Sequence, residues 1–289
     1  MEFGFLKSSN RYVSDSIEIR PLWDIEESIH WLETEAEISD GWIYPPIVEA
    51  KKLPCEKHSK KFSLPSSYHL VPATHSIIFR PFSEQKAKFL ILGIGFFFGV
   101  YLSPAEYYNI DRVAYKVGKL TGVSPRNGDI ELALEYLSRF YDNNPKKRQG
   151  MFAVIHWFLL GQSYNHPWDR FEAQYKVLDG LFKLSGISGC NHGLRPNKLA
   201  QEYNVQIPTW AEVIDGKSLL SRLRNDLAHE AIYAGKPIGY AHPKENYDID
   251  FSSFNVKLIA SILGVKTNYL ATSSQDRQRH LWHIVSQSI

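Results

Sequence analysis

The sequence predicts a mainly α protein: a helical part over residues 104–289, preceded by a smaller mixed α/β region over residues 1–103. Three observations carry this reading. Beyond Pro104, successive segments repeat apolar residues at the three-to-four-residue spacing of a helix face. Before it, prolines at 45, 46, 54, 65, 72 and 81 exclude any long helix between Gly41 and Arg80. Among those prolines lie short β-branched and aromatic segments, Tyr68–Val71 and Ser76–Phe79, that suit strands. A length of 289 residues allows one large domain or two, and 44% hydrophobic against 22% charged residues supplies ample core.

Charge and cysteine content bound the function classes. The net charge is only +2, so no overall field points to nucleic acid. Its distribution is uneven: residues 1–50 hold eleven acidic and three basic residues (−8), and residues 51–100 hold two acidic and eight basic (+6). The acidic segment is read as solvated surface. Two cysteines, Cys55 and Cys190, fit a reducing compartment. The opening residues MEFGFLKSSNRYV lack the apolar stretch of a signal peptide, and the most apolar run, Phe89–Leu102, is too short to span a membrane. A cytoplasmic, soluble chain without membrane contact is expected.

Along the N-terminal region, Ile25–Ile38 reads as a short acidic helix. Phe89–Leu92 suits either a strand or the start of a buried helix, which periodicity alone does not separate. The glycines of Gly93–Gly99 have the spacing GxGxxxG, not the GxGxxG of dinucleotide sites, and read as close packing or a bend.

After Pro104, set in a first turn, a helix is expected over Ala105–Leu120. Ile130–Tyr141 follows, started by Asn127 or Asp129 and stopped by Asp142-Asn-Asn-Pro145. Gln149–Tyr164 is apolar on several sides and therefore central. Asn165-His166-Pro167 starts the next helix, whose stripe is Phe171, Tyr175, Leu178, Leu181 and Phe182. Arg195–Tyr203, Phe251–Leu263 and Asp276–Val285 complete the helical set, with Pro208–Ile214 a helix or an extended link.

One stretch stands out by its chemistry. Lys217–Gly235, KSLLSRLRNDLAHEAIYAG, reads as a single amphipathic helix, capped by Asp215 or Ser218 and stopped by Gly235 and Pro237. Leu219, Leu220, Leu223 and Leu227 form its apolar stripe. At about 100° per residue, Arg222, Asn225 and His229 share the other side. Arg224 then lies about 140° around from His229, with the small Ser221 and Ala228 in the arc between. A helix with this pattern is most often simply a solvated polar face.

These residues also resemble a known family. Arg224-Asn225-Asp226-Leu227-Ala228-His229 is similar to the RNxxxH signature of HEPN domains, the all-helical higher-eukaryote-and-prokaryote nucleotide-binding family. The continuation Leu227-Ala228-His229-Glu230 into Tyr233 and Gly235 looks like its Apea-like, RNA-cleaving branch. Trp168–Leu184 resembles the long helix that precedes the motif in such proteins. The resemblance covers Arg148 to about Ile289, and only the motif is specific. It implies a HEPN-like helical bundle, no cofactor, and metal-independent RNA cleavage at a composite cleft formed by a homodimer through the motif helix.

The chemistry of the residues agrees with that expectation. An imidazole accepts or donates a proton near neutrality, and a guanidinium holds phosphate oxygens with a fixed fork. His229 is thus expected as general base or acid, Arg224 as stabiliser of the charged phosphate, and Asn225 as the group orienting either. Arg222 also stands in register for His229, so it and Ser221 are candidate substrate-binding residues. Asp226 adds a charge unhelpful to RNA phosphate but able to stabilise a protonated imidazole; Glu172 and Asp179, on the preceding helix, are candidate supports. RNA is the expected partner, with an antitoxin or other protein partner possible for a stress-response or antiphage toxin. Residues 1–103 lie outside the resemblance and suit a sensor or substrate-selecting role. A non-catalytic nucleotide- or RNA-binding or interaction protein is the alternative.

Other motifs carry less. Cys55, His58, Cys190 and His192 are zinc-type ligands, but the pairs are far apart in sequence and unlike a zinc finger. His280 and His283 form an i, i+3 pair on the expected terminal helix without accompanying carboxylates, and His156 reads as a core histidine. No GxSxG elbow, P-loop or HExxH occurs.

Overall fold

The computed structural model describes the chain except for residues 36, 45–67, 71–72, 105–107, 111, 127, 240–245, 274–280 and 287–289. About half of the described residues are helical, in eight described α-helices, with a small antiparallel sheet region towards the N-terminus. The mainly α class with a mixed N-terminal region is therefore observed.

The N-terminal sheet is built from β1 (Glu2–Gly4), β2 (Tyr12–Val13), β3 (Ile17–Pro21), β7 (His75–Phe79) and β8 (Ser103–Pro104), in the order β2-β3-β7-β1-β8. Ile17 pairs with Phe79 and Ile19 with Ile77, so both apolar pairs point to one face and are buried. Helix α1 (Ile25–Glu35) leads into β4 (Glu37–Ser39) and β5 (Trp42–Tyr44), and β6 (Tyr68–Leu70) precedes β7.

Helix α2 (Glu84–Phe98) resolves the ambiguity of Phe89–Leu92 in favour of a buried helix. Ser83 caps it by accepting from the Lys86 amide, and Gly99 closes it in the left-handed conformation, φ 64°. Its glycines serve close packing: a Cβ on Gly93 would meet Leu137 Cδ2 at 2.5 Å, and one on Gly95 the Val100 carbonyl at 2.6 Å.

The helix expected over Ala105–Leu120 is absent from the described part of that stretch. Strands β9 (Tyr108–Ile110) and β10 (Val113–Ala114) stand there instead, β10 paired with β5 and β9 with β6. Pairing on β5 buries Val113 and Ala114 completely, which outweighs a modest local helix preference.

The helical part comprises α3 (Ile130–Asn143), α4 (Arg148–Gly161), α5 (Pro167–Ser185), α6 (Arg195–Tyr203), α7 (Leu219–Asn225) and α8 (Asp248–Ile262). Helices α4 and α5 cross closely where Gly161 meets Ala173; an added Cβ would stand 2.3 Å from that of Ala173. Between α5 and α8, Asn255 Nδ2 donates to both the carbonyl and the side-chain oxygen of Gln174 at 2.9 Å, with both residues fully buried. Arg170 forms an ion pair with the nearly buried Asp248.

The terminal helix expected at Asp276–Val285 is not found at residues 281–285, and 276–280 lie outside the described residues. Trp282 bridges to Pro125 and Ile284 to Thr267, and the Ile284 amide donates to Asp129 Oδ2 at 2.9 Å. Burial of Ile284 beside α3 accounts for this extended course. His283 accordingly sits at the surface against Asp129 and Arg126.

Candidate functional site

The motif stretch is delivered by a tight hairpin, β11 (Val213–Ile214) and β12 (Lys217–Ser218), whose turn places Asp215 at φ 51° and Gly216 at φ 74°. Ser218 is the cap: its Oγ accepts from the Ser221 amide at 3.1 Å. Asp215 belongs to the turn and not to the cap.

Helix α7 is short, and the expected helix over Lys217–Gly235 does not run through. At Asp226–Glu230 the backbone widens into a π turn, in which the Ala231 amide bonds to the Asp226 carbonyl five residues back. Ala231 then turns left-handed, φ 52°, into β13 (Ile232–Tyr233) and β14 (Lys236–Pro237). Gly235 therefore serves a hairpin turn, φ 73°, and not a helix stop. The cause is tertiary: Tyr233 is 1% exposed, its ring centroid 5.4 Å from that of Phe171 on α5. Burying that ring contributes about 2–3 kcal/mol, more than the propensity of one further helical turn.

The π turn changes which side chains are neighbours. Each residue of an i→i+5 turn advances roughly 80° instead of 100°. From Arg224 to His229 the separation closes from about 140° to roughly 70°, and from Arg222 to His229 it opens from about 20° to roughly 90°. On this count Arg222 and Arg224 stand at nearly equal angles from His229. Arg224 donates from Nη1 to Asn225 Oδ1 at 3.1 Å, and its guanidinium carbon lies 5.8 Å from the centre of the Tyr175 ring on α5. His229 is exposed and has no hydrogen-bond partner among the described residues.

Arg222, Ser221, Asn225 and Asp226 line a separate open groove of about 680 Å³, closed on other sides by Gly193 and Trp210. Gly193 lies so close that a Cβ there would stand 3.3 Å from Ser221 Oγ. Of the sequence-derived set, Arg224 and Asn225 are joined by a hydrogen bond, Arg222, Ser221, Asn225 and Asp226 share the groove, and His229 is exposed outside its lining.

The two carboxylates proposed as supports behave differently. Glu172 is exposed and pairs with Lys176 along its own helix at 3.1 Å. Asp179 accepts from Arg195 Nη1 at 2.6 Å and stands 3.8 Å from His192 Nδ1, so it ties the start of α6 to α5. It reaches the motif only through Tyr175, whose hydroxyl is held above its ordinary pKa by burial and, secondarily, by the Asp179 charge, with Arg224 and Arg195 opposing. Tyr175 Oη is buried without a hydrogen-bond partner among the described residues. In the sequence Tyr175 was visible only as part of an apolar stripe, and no spacing marked Gly193, Arg195 or Trp210.

No family model, curated protein or solved structure matches this chain.

The site is accordingly read from its own residues. Among the described residues no group of three or more His, Cys, Asp and Glu is placed to hold a metal; Cys55 and His58 lie outside them, as does His280. Cys190 is a free, half-buried thiol. No described helix is long and apolar enough to cross a membrane. What the stretch offers is an accessible imidazole at His229 and, separately, a guanidinium at Arg224 bonded to the Asn225 amide.

Proposed function

We propose that this chain is a metal-independent endoribonuclease of HEPN type, acting in a cleft completed by a second copy of itself. The observation that supports the reading is an exposed His229 imidazole, without a hydrogen-bond partner among the described residues, on the same short stretch as the Asn225-bound Arg224. In the proposed reaction the RNA 2′-oxygen attacks the adjacent phosphorus as its proton passes to one imidazole. The bond to the 5′-oxygen breaks as that oxygen receives a proton from a second imidazole, leaving a 2′,3′-cyclic phosphate and a 5′-hydroxyl. One His229 per chain supplies one of these transfers at a time, so a two-fold pairing of motif helices supplies both. Arg224 stabilises the charge on the pentacoordinate phosphorus, and Asn225 orients it. Arg222 and Ser221 in the adjoining groove hold the flanking nucleotide. An RNA-cutting activity with so open a site suits a cytoplasmic toxin of stress response or antiphage defence, restrained by an antitoxin.

The separation of the groove from His229 favours a second reading, in which the chain binds RNA or nucleotides without cutting. One experiment divides the two. Mixed RNA is incubated with the purified protein in excess EDTA, beside His229→Ala, Arg224→Ala and Arg222→Ala, under single-turnover conditions. The expected result is cyclic-phosphate ends, with cleavage reduced about 10²–10⁴-fold in His229→Ala and about 10²–10³-fold in Arg224→Ala. Arg222→Ala weakens binding and leaves the bound rate nearly unchanged. Equal cleavage by His229→Ala removes the ribonuclease reading, and binding without cleavage establishes the second.

A further inference from the structure

A second cavity lies away from the motif helix, between α2, α4 and the segment entering β8, with a volume of about 220 Å³. Its walls include Leu92, Tyr101, Phe152, Ala153, His156 and Trp157. Cavities that take drug-sized ligands run to about 300–1,000 Å³, so this one has room for one ring system only. Aromatic side chains supply much of the wall, and these favour flat occupants by edge and face contact.

One polar feature is built into that wall. His156 Nδ1 and the Tyr101 hydroxyl are 3.0 Å apart, and the two rings meet edge to face at 5.7 Å. Burial holds the imidazole below its ordinary pKa, which keeps it neutral at pH 7. We assign the phenol, the stronger acid of the pair, as the donor to Nδ1, which puts the proton of the neutral ring on Nε2. That nitrogen has no hydrogen-bond partner among the described residues and is not sealed from solvent, so its N–H is available to the cavity. The rest of the described wall is mostly apolar, which favours a neutral occupant.

We propose that this cavity binds a small, neutral, planar heteroaromatic molecule of one or two fused rings with a hydrogen-bond acceptor, the chemistry of a free nucleobase. The proposal stands independently of the ribonuclease reading. It also has a physical link to the motif: Lys176 Nζ lies 4.8 Å over the cavity's Trp157, and its neighbour Tyr175 carries the Arg224 guanidinium.

The test titrates the full chain with adenine and with quinoline, using indene as the flat control without an acceptor, by isothermal calorimetry and ligand-observed NMR. Saturable one-to-one binding of adenine or quinoline is expected, at least tenfold tighter than that of indene. His156→Phe, which keeps a ring but deletes the donor, weakens it about tenfold, the loss of one buried hydrogen bond. Ala153→Phe fills the cavity from an exposed position on α4 and abolishes binding; it keeps the test decisive should His156→Phe lower stability. Absence of saturation at millimolar probe, or binding unchanged in Ala153→Phe, overturns the proposal.

Discussion

His75 makes the stability of the N-terminal sheet depend on acid in a way that can be worked out from its surroundings. It sits in β7, between β3 and β1, and is fully buried. Its Nδ1 is 3.0 Å from Thr74 Oγ1, which itself accepts from the Leu6 amide, and its ring packs 5.7 Å from that of Phe3. Burial lowers its pKa from 6.5 to about 4, opposed only weakly by the Ser8 backbone. A folded pKa below the unfolded one means that the unfolded chain takes up the proton first. Stability from this group is therefore complete above pH 6.5, is lost as pH falls from 6.5 to about 4, and is level below that. The difference of about 2.5 units corresponds to about 3 kcal/mol, of which about 2.5 kcal/mol is already lost at pH 4.5. His75→Gln removes the titration while retaining a group able to bond Thr74. Urea unfolding of both proteins at pH 7.5 and pH 4.5 gives the comparison, since the variant's fixed cost cancels between the two pH values. The wild type should lose about 2.5 kcal/mol more than the variant over that interval. Parallel losses would refute the reasoning and show His75 to be hydrated or charged in the folded state.

Two further substitutions probe the scaffold around the site. Gly161→Ala should lower stability in thermal unfolding by about 1–3 kcal/mol, because the new methyl collides with Ala173 Cβ; a gain of about 1 kcal/mol, as helix propensity alone implies, would show that α4 and α5 do not cross so closely. Ser218→Ala should cost about 1 kcal/mol and raise amide exchange at Ser221 and along α7, whereas Asp215→Ala should leave that exchange unchanged.

Much of the helical part was legible because its signals are local. The Asn165-His166-Pro167 start and the Phe171-to-Phe182 stripe specify α5 without reference to any partner, and the helix observed, Pro167–Ser185, ends at a left-handed Gly186. The described residues of 108–120 and 281–285 depart from the helical expectation for the opposite reason: what decides them is pairing with β5 and β6 and with Thr267 and Pro125, distant in sequence. The candidate residues Arg224, Asn225 and His229 were visible in the sequence, but their geometry was not. Straight-helix spacing puts Arg222, Asn225 and His229 on one side with Arg224 about 140° from His229; the π turn at Asp226–Glu230 makes the two arginines' angles from His229 nearly equal.

By itself, the sequence determined the mainly α class, the approximate positions of α3 to α6 and α8, and the residue types at the motif, since these follow from periodicity, caps and side-chain chemistry. Only the tertiary structure decided where the motif helix ends. The reason is energetic: burying Tyr233 against Phe171 outweighs one more helical turn, and the chain widens at Asp226–Glu230 to allow it.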